Sequence, residues 1–160
     1  MKLTVIGAGY VGLATATLFS ELGNNVICLD VSEERVEMLK NGKLPFFEPG
    51  MAEYIKRNFK DGRLNFTLEY KQAIPDSDVI FICVGTPPLI NGEADLSYLF
   101  NALEETAKNL KNYALIVIKS TYPIGYEKQL ENAVKKHYQG EFEFAAAPEF
   151  LKEGTVIEDT

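Results

Sequence analysis

Apolar residues in this chain come in short, β-branched runs separated by longer stretches in which they recur every three or four positions. The runs are Leu3-Ile6, Asn25-Asp30, Val79-Val84, Leu115-Ile118 and Phe142-Ala146. They lack the strict polar alternation of a strand with one wet face, so they read as strands covered on both sides. The amphipathic stretches between them, Val11-Leu22, Glu33-Asn41, Met51-Phe59, Leu96-Leu110 and Tyr126-His137, predict helices. Strand and helix in alternation predict an α/β fold, a doubly wound parallel sheet with helices on both faces. Ser32 before Glu33 and Glu34 reads as a helix N-cap, Asp95 as a second, and Gly23 as a helix stop. Pro45 and the turn Glu48-Pro49-Gly50 break the chain before the third helix.

Composition narrows the setting. A chain of 160 residues with 46% apolar and 24% charged residues suits one globular domain. The net charge of -7 argues against a nucleic-acid surface, which needs clustered Lys and Arg. No apolar run approaches the roughly 20 residues of a membrane span, and the N-terminus lacks the shape of a signal peptide. Cys28 and Cys83 both fall inside apolar runs and read as buried free thiols of a reducing compartment. The expectation is a cytoplasmic protein. His137 lies beside Lys135 and Lys136 and reads as a solvated surface residue, with no metal site in view.

The strongest chemical signal is Gly7-Ala8-Gly9-Tyr10-Val11-Gly12, directly after a strand and opening a helix. That context gives a G-x-G-x-x-G string meaning. Gly7 permits the tight turn, Gly9 lets backbone approach a pyrophosphate, and Gly12 lets helix pack closely on strand. The helix N-terminus offers free N–H groups to phosphate. Asp30 ends the second run eighteen residues beyond Gly12, where a carboxylate can accept both adenosine ribose hydroxyls and repel a 2′-phosphate. This predicts a Rossmann-type domain that takes NAD rather than NADP. Arg35 complicates the choice, because a nearby Arg is one way to accommodate the 2′-phosphate.

Five segments in order carry a resemblance along the whole chain. They are Gly7-Gly12, Pro45-Gly50, Cys83-Pro87, Lys119-Gly125 and Pro148-Gly154. Together they resemble the UDP-glucose/GDP-mannose dehydrogenase family, which also oxidises UDP-N-acetylmannosamine. The resemblance implies that Gly7, Ala8, Gly9, Tyr10, Val11, Gly12, Asp30 and Arg35 hold NAD, with Val84, Gly85, Thr86 and Pro87 lining the same site. It implies that Ser120 and Thr121 touch the cofactor and that Thr121 stands near the reacting carbon. Glu149 would assist proton transfer and Glu153 would lie by the nicotinamide, while Glu149, Phe150, Leu151, Lys152 and Glu153 meet the sugar. On a helical turn the spacing of Glu149 and Glu153 would put both carboxylates on one side, with Phe150 and Leu151 as an apolar pair. The residues themselves also allow a plain turn at 84–88, a helix cap at Thr121 and two solvated glutamates. Two positions depart from the family pattern: Tyr122 replaces Val or Ile, and Ala147 replaces Asn or Ser. Phe46, Phe47 and Glu48 suit core or hinge packing as well as a site and are left outside it.

The family reaction takes a primary alcohol to a carboxylate through two hydride transfers to NAD, the second through a thioester on a cysteine. That cysteine sits in a Gly-Gly-x-Cys segment that residues 1–160 do not contain. The resemblance therefore implies the N-terminal NAD-binding domain of a longer enzyme, whose central helix and sugar-nucleotide domain lie elsewhere. The long form would be a homodimer or larger, and this chain by itself would bind cofactor without turnover. UDP-glucose is the favoured substrate because Lys119-Gly125 looks most like that branch. A stand-alone NAD-binding module and an enzyme completed by a second polypeptide are the competing readings.

Overall fold

The computed structural model describes the backbone of residues 1–159 and the side chains of residues 1–157. In chain order the elements are β1 (Lys2–Ile6), α1 (Tyr10–Glu21), β2 (Asn25–Leu29), α2 (Glu33–Lys40), α3 (Met51–Lys60), β3 (Leu64–Thr67) and α4 (Tyr70–Ala73). They continue with β4 (Val79–Ile82), α5 (Ser97–Asn109), β5 (Ala114–Ile118), α6 (Glu127–Lys135), β6 (Phe142–Ala146) and α7 (Val156–Asp159). The strands form one sheet in the order β3-β2-β1-β4-β5-β6, and every pairing is parallel.

Strand order reverses between β1 and β4: the chain winds outward to one side through β2 and β3, then to the other through β5 and β6. Beyond the carboxyl ends of β1 and β4 the connecting loops diverge, which leaves a crevice where ligands of such sheets bind. Both faces are covered. Leu3, Val5, Cys28 and Phe81 pack with Leu13, Val36, Met51 and Ile55, so α1, α2 and α3 lie on that face. Ile6, Ile80, Ile82 and Ile116 pack with Ile74, Leu99, Leu103 and Leu130, which puts α4, α5 and α6 on the other. Thr4 points into this second face, where its hydroxyl donates to the Ala73 carbonyl at 2.7 Å. Fully burying a Leu or Ile contributes about 1.5–3 kcal/mol, so these two layers supply most of the driving force for the sheet to form.

Local chemistry sets the helix ends. Ser32 Oγ accepts from the Arg35 N–H at 3.2 Å, which caps α2 as its sequence predicts. Gly23 takes φ +87 after α1, its N–H bonding Ser20 and the Asn24 N–H bonding Phe19. That double bond is the Schellman stop. Asp95 accepts from the Ser97 N–H at 2.9 Å, one residue ahead of the N-cap of α5.

Three elements lie outside the sequence expectation. β3 has four residues, and α4 and α7 are single turns, all too short for periodicity to accumulate. β3 exists because β2 offers it a paired edge, Val26 opposite Leu64 and Leu29 opposite Thr67. The predicted runs also overshoot: Asp30, Cys83 and Val84 lie past the strand ends, in the loops that face the crevice. Cys28 and Cys83 are free buried thiols, and burial pushes Cys83 up to about 12 and Cys28 upward as well. No helix among the described residues is long and apolar enough to cross a membrane.

Candidate functional site

The turn after β1 is fixed by two glycines and left open by a third. Gly7 takes φ +100, and a Cβ there would stand 2.5 Å from the Cys83 carbonyl oxygen. A Cβ on Gly12 would come within 1.7 Å of the Gly7 oxygen. Neither position admits a side chain. Gly9 is different: its φ of -76 suits any residue, and a Cβ would meet nothing of the protein within 4 Å. Nothing in the fold requires glycine at position 9, so what it provides is unobstructed approach from outside. No side chain caps α1, whose first-turn N–H groups are therefore available to an anion.

Asp30 stands at the tip of β2, only 5% exposed. Its Oδ2 accepts the Ala8 N–H at 2.7 Å and Arg35 Nη1 at 3.0 Å, while Oδ1 accepts the Ser32 N–H at 2.9 Å. One carboxylate thus ties the glycine turn to the start of α2. Arg35 is paired with it at 3.0 Å, so its guanidinium is already partly neutralised.

Across the crevice, the loops after β4 and β5 are stitched together. The buried Ser120 hydroxyl donates to the Val84 carbonyl at 2.7 Å, which leaves it an acceptor rather than a donor for any ligand. Gly85, Pro87 and Thr121 are exposed and Thr86 is half-buried. A Cβ at Gly85 would also meet open space. Beyond Pro87 the chain forms a finger closed by the Pro88–Ala94 bridge.

The segment after β6 departs from its expected form. Residues 147–153 are not helical, so Glu149 and Glu153 do not share the side of a helical turn. Glu149 Oε2 instead accepts the Leu151 N–H at 3.0 Å, a local turn that competes with helix. Phe150 and Leu151 do not form an apolar pair either: Phe150 is 90% exposed, whereas Leu151 packs on the α1 face of the core. Lys152 and Glu153 are exposed.

This segment is held by Glu48, a residue the sequence reading leaves outside the site. Glu48 is 3% exposed. Its Oε2 accepts the Tyr10 hydroxyl at 2.8 Å and the Gly154 N–H at 2.8 Å, and its Oε1 accepts the Val156 N–H at 2.9 Å. Tyr10 also lies 3.1 Å from the Lys152 carbonyl and packs on Phe46, ring centroids 5.1 Å apart. Burial first, and then the Glu48 carboxylate, push the Tyr10 phenol up to about 12. The available signal was a carboxylate set among the apolar neighbours Phe46, Phe47 and Pro49. Phe47 itself is exposed. His137 stands on the surface, Nε2 3.9 Å from Glu104, and no group of three His, Cys, Asp or Glu suited to a metal occurs among the described residues.

A glycine turn open at Gly9, an uncapped helix and a buried aspartate at the neighbouring strand tip together make a dinucleotide cradle. Comparison with known proteins specifies which kind. Residues 1–160 match the model of the UDP-glucose/GDP-mannose dehydrogenase family, NAD binding domain. The chain belongs to this family. As its NAD binding domain it takes NAD as cofactor. UDP-glucose 6-dehydrogenase TuaD of Bacillus subtilis is 45% identical over 161 residues, which cover 99% of this chain and 35% of that protein. UDP-glucose 6-dehydrogenase of Rhizobium meliloti is 44% identical over 99% of this chain and 37% of its own length. Among solved structures, a UDP-glucose dehydrogenase from Pyrobaculum islandicum superposes with a TM-score of 0.92 at 37% identity, over 98% of this chain and 38% of that one. GDP-mannose dehydrogenase from Pseudomonas aeruginosa gives 0.91 at 35% identity, over 99% and 38%. The chain thus spans little more than a third of the length of these relatives, and the dehydrogenase domain it represents has the doubly wound fold expected from its sequence.

Proposed function

We propose that this domain seats NAD for a UDP-glucose 6-dehydrogenase, which oxidises UDP-glucose to UDP-glucuronate in two hydride transfers. The observation that carries the reading is Gly9, open and unstrained at the uncapped end of α1, beside the buried Asp30. The α1 N–H groups hold the pyrophosphate over Gly7–Gly12, Tyr10 and Val11, and Asp30 accepts the adenosine ribose hydroxyls. Bound NAD supplies the hydride acceptor. Val84–Pro87, Ser120 and Thr121 wall the crevice on its other side, with Ser120 accepting and Thr121 free to donate. Glu149 takes up the alcohol proton at its carboxylate, Glu153 borders the nicotinamide, and Phe150–Lys152 meet the nucleotide sugar. General acid/base help of that kind is worth on the order of 10²–10⁴ in rate. The thiols of Cys28 and Cys83 are buried too deeply to act as nucleophile, so this chain alone forms no thioester and makes no NADH from UDP-glucose. A cytoplasmic setting agrees with two thiols left unpaired.

Titration calorimetry of the 160-residue chain with NAD and with NADP tests the reading. NAD is expected to bind the more tightly, because a 2′-phosphate would be forced against the Asp30 carboxylate. Equal affinity for the two would overturn it.

A further inference from the structure

We infer that Glu48 is a positioning residue that couples the cofactor turn to the segment carrying Glu149 and Glu153. The inference rests on the proposal that Gly7–Gly12 seats NAD, and it adds a route by which that event reaches residues 149–154.

A carboxylate 3% exposed is costly unless its oxygens are matched to donors, and here the donors come from two distant parts of the chain. Tyr10 lies in the glycine turn, 38 positions away. Gly154 and Val156 are 106 and 108 positions away. Gly154 turns at φ +93, so its N–H points where an ordinary residue would hold it only under strain. The preceding residues have no regular structure to hold them. Glu149 bonds only two positions along, and Phe150, Lys152 and Glu153 are exposed. Leu151 and the Glu48 bonds therefore help to hold the segment in place. Tyr10 closes the link, since its hydroxyl meets Glu48 and lies 3.1 Å from the Lys152 carbonyl. Phosphate on the Tyr10 N–H bears on the residue that carries that hydroxyl, and the Glu48 carboxylate passes the effect to Gly154.

The isosteric change Glu48→Gln tests this. An amide has a single accepting oxygen, so its NH2 must face either the Val156 N–H or the Tyr10–Gly154 pair, donor against donor. Backbone NMR on the 160-residue chain, with and without NAD, reads the outcome. In Glu48→Gln the amide hydrogens of Gly154 or Val156 are expected to exchange about tenfold faster than in the wild type. NAD should still shift the resonances of Gly7–Gly12, and those of Phe150–Lys152, which the proposal places against the sugar and away from the cofactor, should stop responding. Tyr10→Phe keeps the ring on Phe46 and the two amide bonds to Glu48, but severs the link. There Gly154 and Val156 should stay protected while the response at Phe150–Lys152 weakens, and this variant decides the matter if Glu48→Gln fails to fold. An undiminished response at Phe150–Lys152 in both variants would overturn the coupling while leaving the NAD site standing. If NAD shifts nothing in Gly7–Gly12 of the wild type, the cofactor reading fails, and the coupling built on it falls too.

Discussion

The glycine turn at 7–12 and the loop at 148–155 face one crevice but owe their shapes to different forces. The turn is fixed by backbone alone: Gly12 sits against Gly7 and Gly7 against the Cys83 carbonyl, with no room for a Cβ at either, and Gly7 donates to Leu29 at 2.7 Å. The loop relies on side chains instead: Glu149 bonds the Leu151 N–H, Tyr10 lies near the Lys152 carbonyl, and a carboxylate more than a hundred positions earlier holds Gly154 and Val156. Shape can thus come from backbone that leaves no room to move, or from one buried side chain that gathers distant donors.

The sharpest way to break this contrast is Gly12→Ala. A Cβ 1.7 Å from a carbonyl oxygen cannot be absorbed by rotating a side chain. The expected loss is about 3 kcal/mol, the upper range for overpacking, and the melting temperature should fall by about 10 °C. A thermal melt matching the wild type would show that the turn is not the rigid half.

Asp30→Ala removes the anchor of the turn and the proposed ribose acceptor together. NAD binding should weaken by about 1.5–3 kcal/mol, a factor of about 10 to 150, with NADP affected less. Calorimetry with both cofactors measures this, and an equal loss for each would detach Asp30 from the ribose.

Gly9→Ala separates binding from folding inside the same turn. With nothing within 4 Å of the new methyl, stability should stay within about 0.5 kcal/mol of the wild type. NAD affinity should fall by about 1–2 kcal/mol, because the methyl occupies the approach to the phosphates. If the melt drops and affinity holds, the space at Gly9 serves the protein and not a ligand.

The Tyr10 phenol probes the junction between the two regions. Its pKa rises from 10.0 to about 12 on folding, so the fold favours the protonated form. That contribution is whole below pH 10 and is lost as pH climbs through about 12. Urea midpoints at pH 9 and pH 11 should therefore fall further for the wild type than for Tyr10→Phe. Identical falls would mean that the Tyr10–Glu48 contact adds nothing.

The smallest effect belongs to the loop. Phe150 is 90% exposed, and Phe150→Ala should change stability by less than about 0.5 kcal/mol. A larger loss on urea denaturation would show that the loop is packed after all, which erases the contrast.

The same division explains what could be read before the structure. Five of the six strands were legible because each is an apolar run bounded by turn residues, and the glycine turn was legible because the Gly7, Gly9 and Gly12 spacing follows a strand and opens a helix. β3 was not, since Leu64–Thr67 gains its identity from pairing with β2. The geometry of Glu149 and Glu153 was misjudged because spacing alone takes no account of a side chain that bonds its own backbone. Glu48 was passed over because a carboxylate beside two phenylalanines declares its burial only when Tyr10, Gly154 and Val156 close around it.

The Asp30–Ala8 hydrogen bond has a thermodynamic consequence. The turn is ordered before any nucleotide arrives, so its conformational entropy is lost during folding and not during association. A ligand then meets one arrangement of donors instead of an ensemble that must first be sorted. On the proposed reading, the ribose would find a carboxylate already engaged by Ala8, Ser32 and Arg35, and its hydroxyls would have to share those oxygens or displace a donor. Association at this position would accordingly be an exchange of partners, with selectivity set by which hydroxyl pattern can join the existing set.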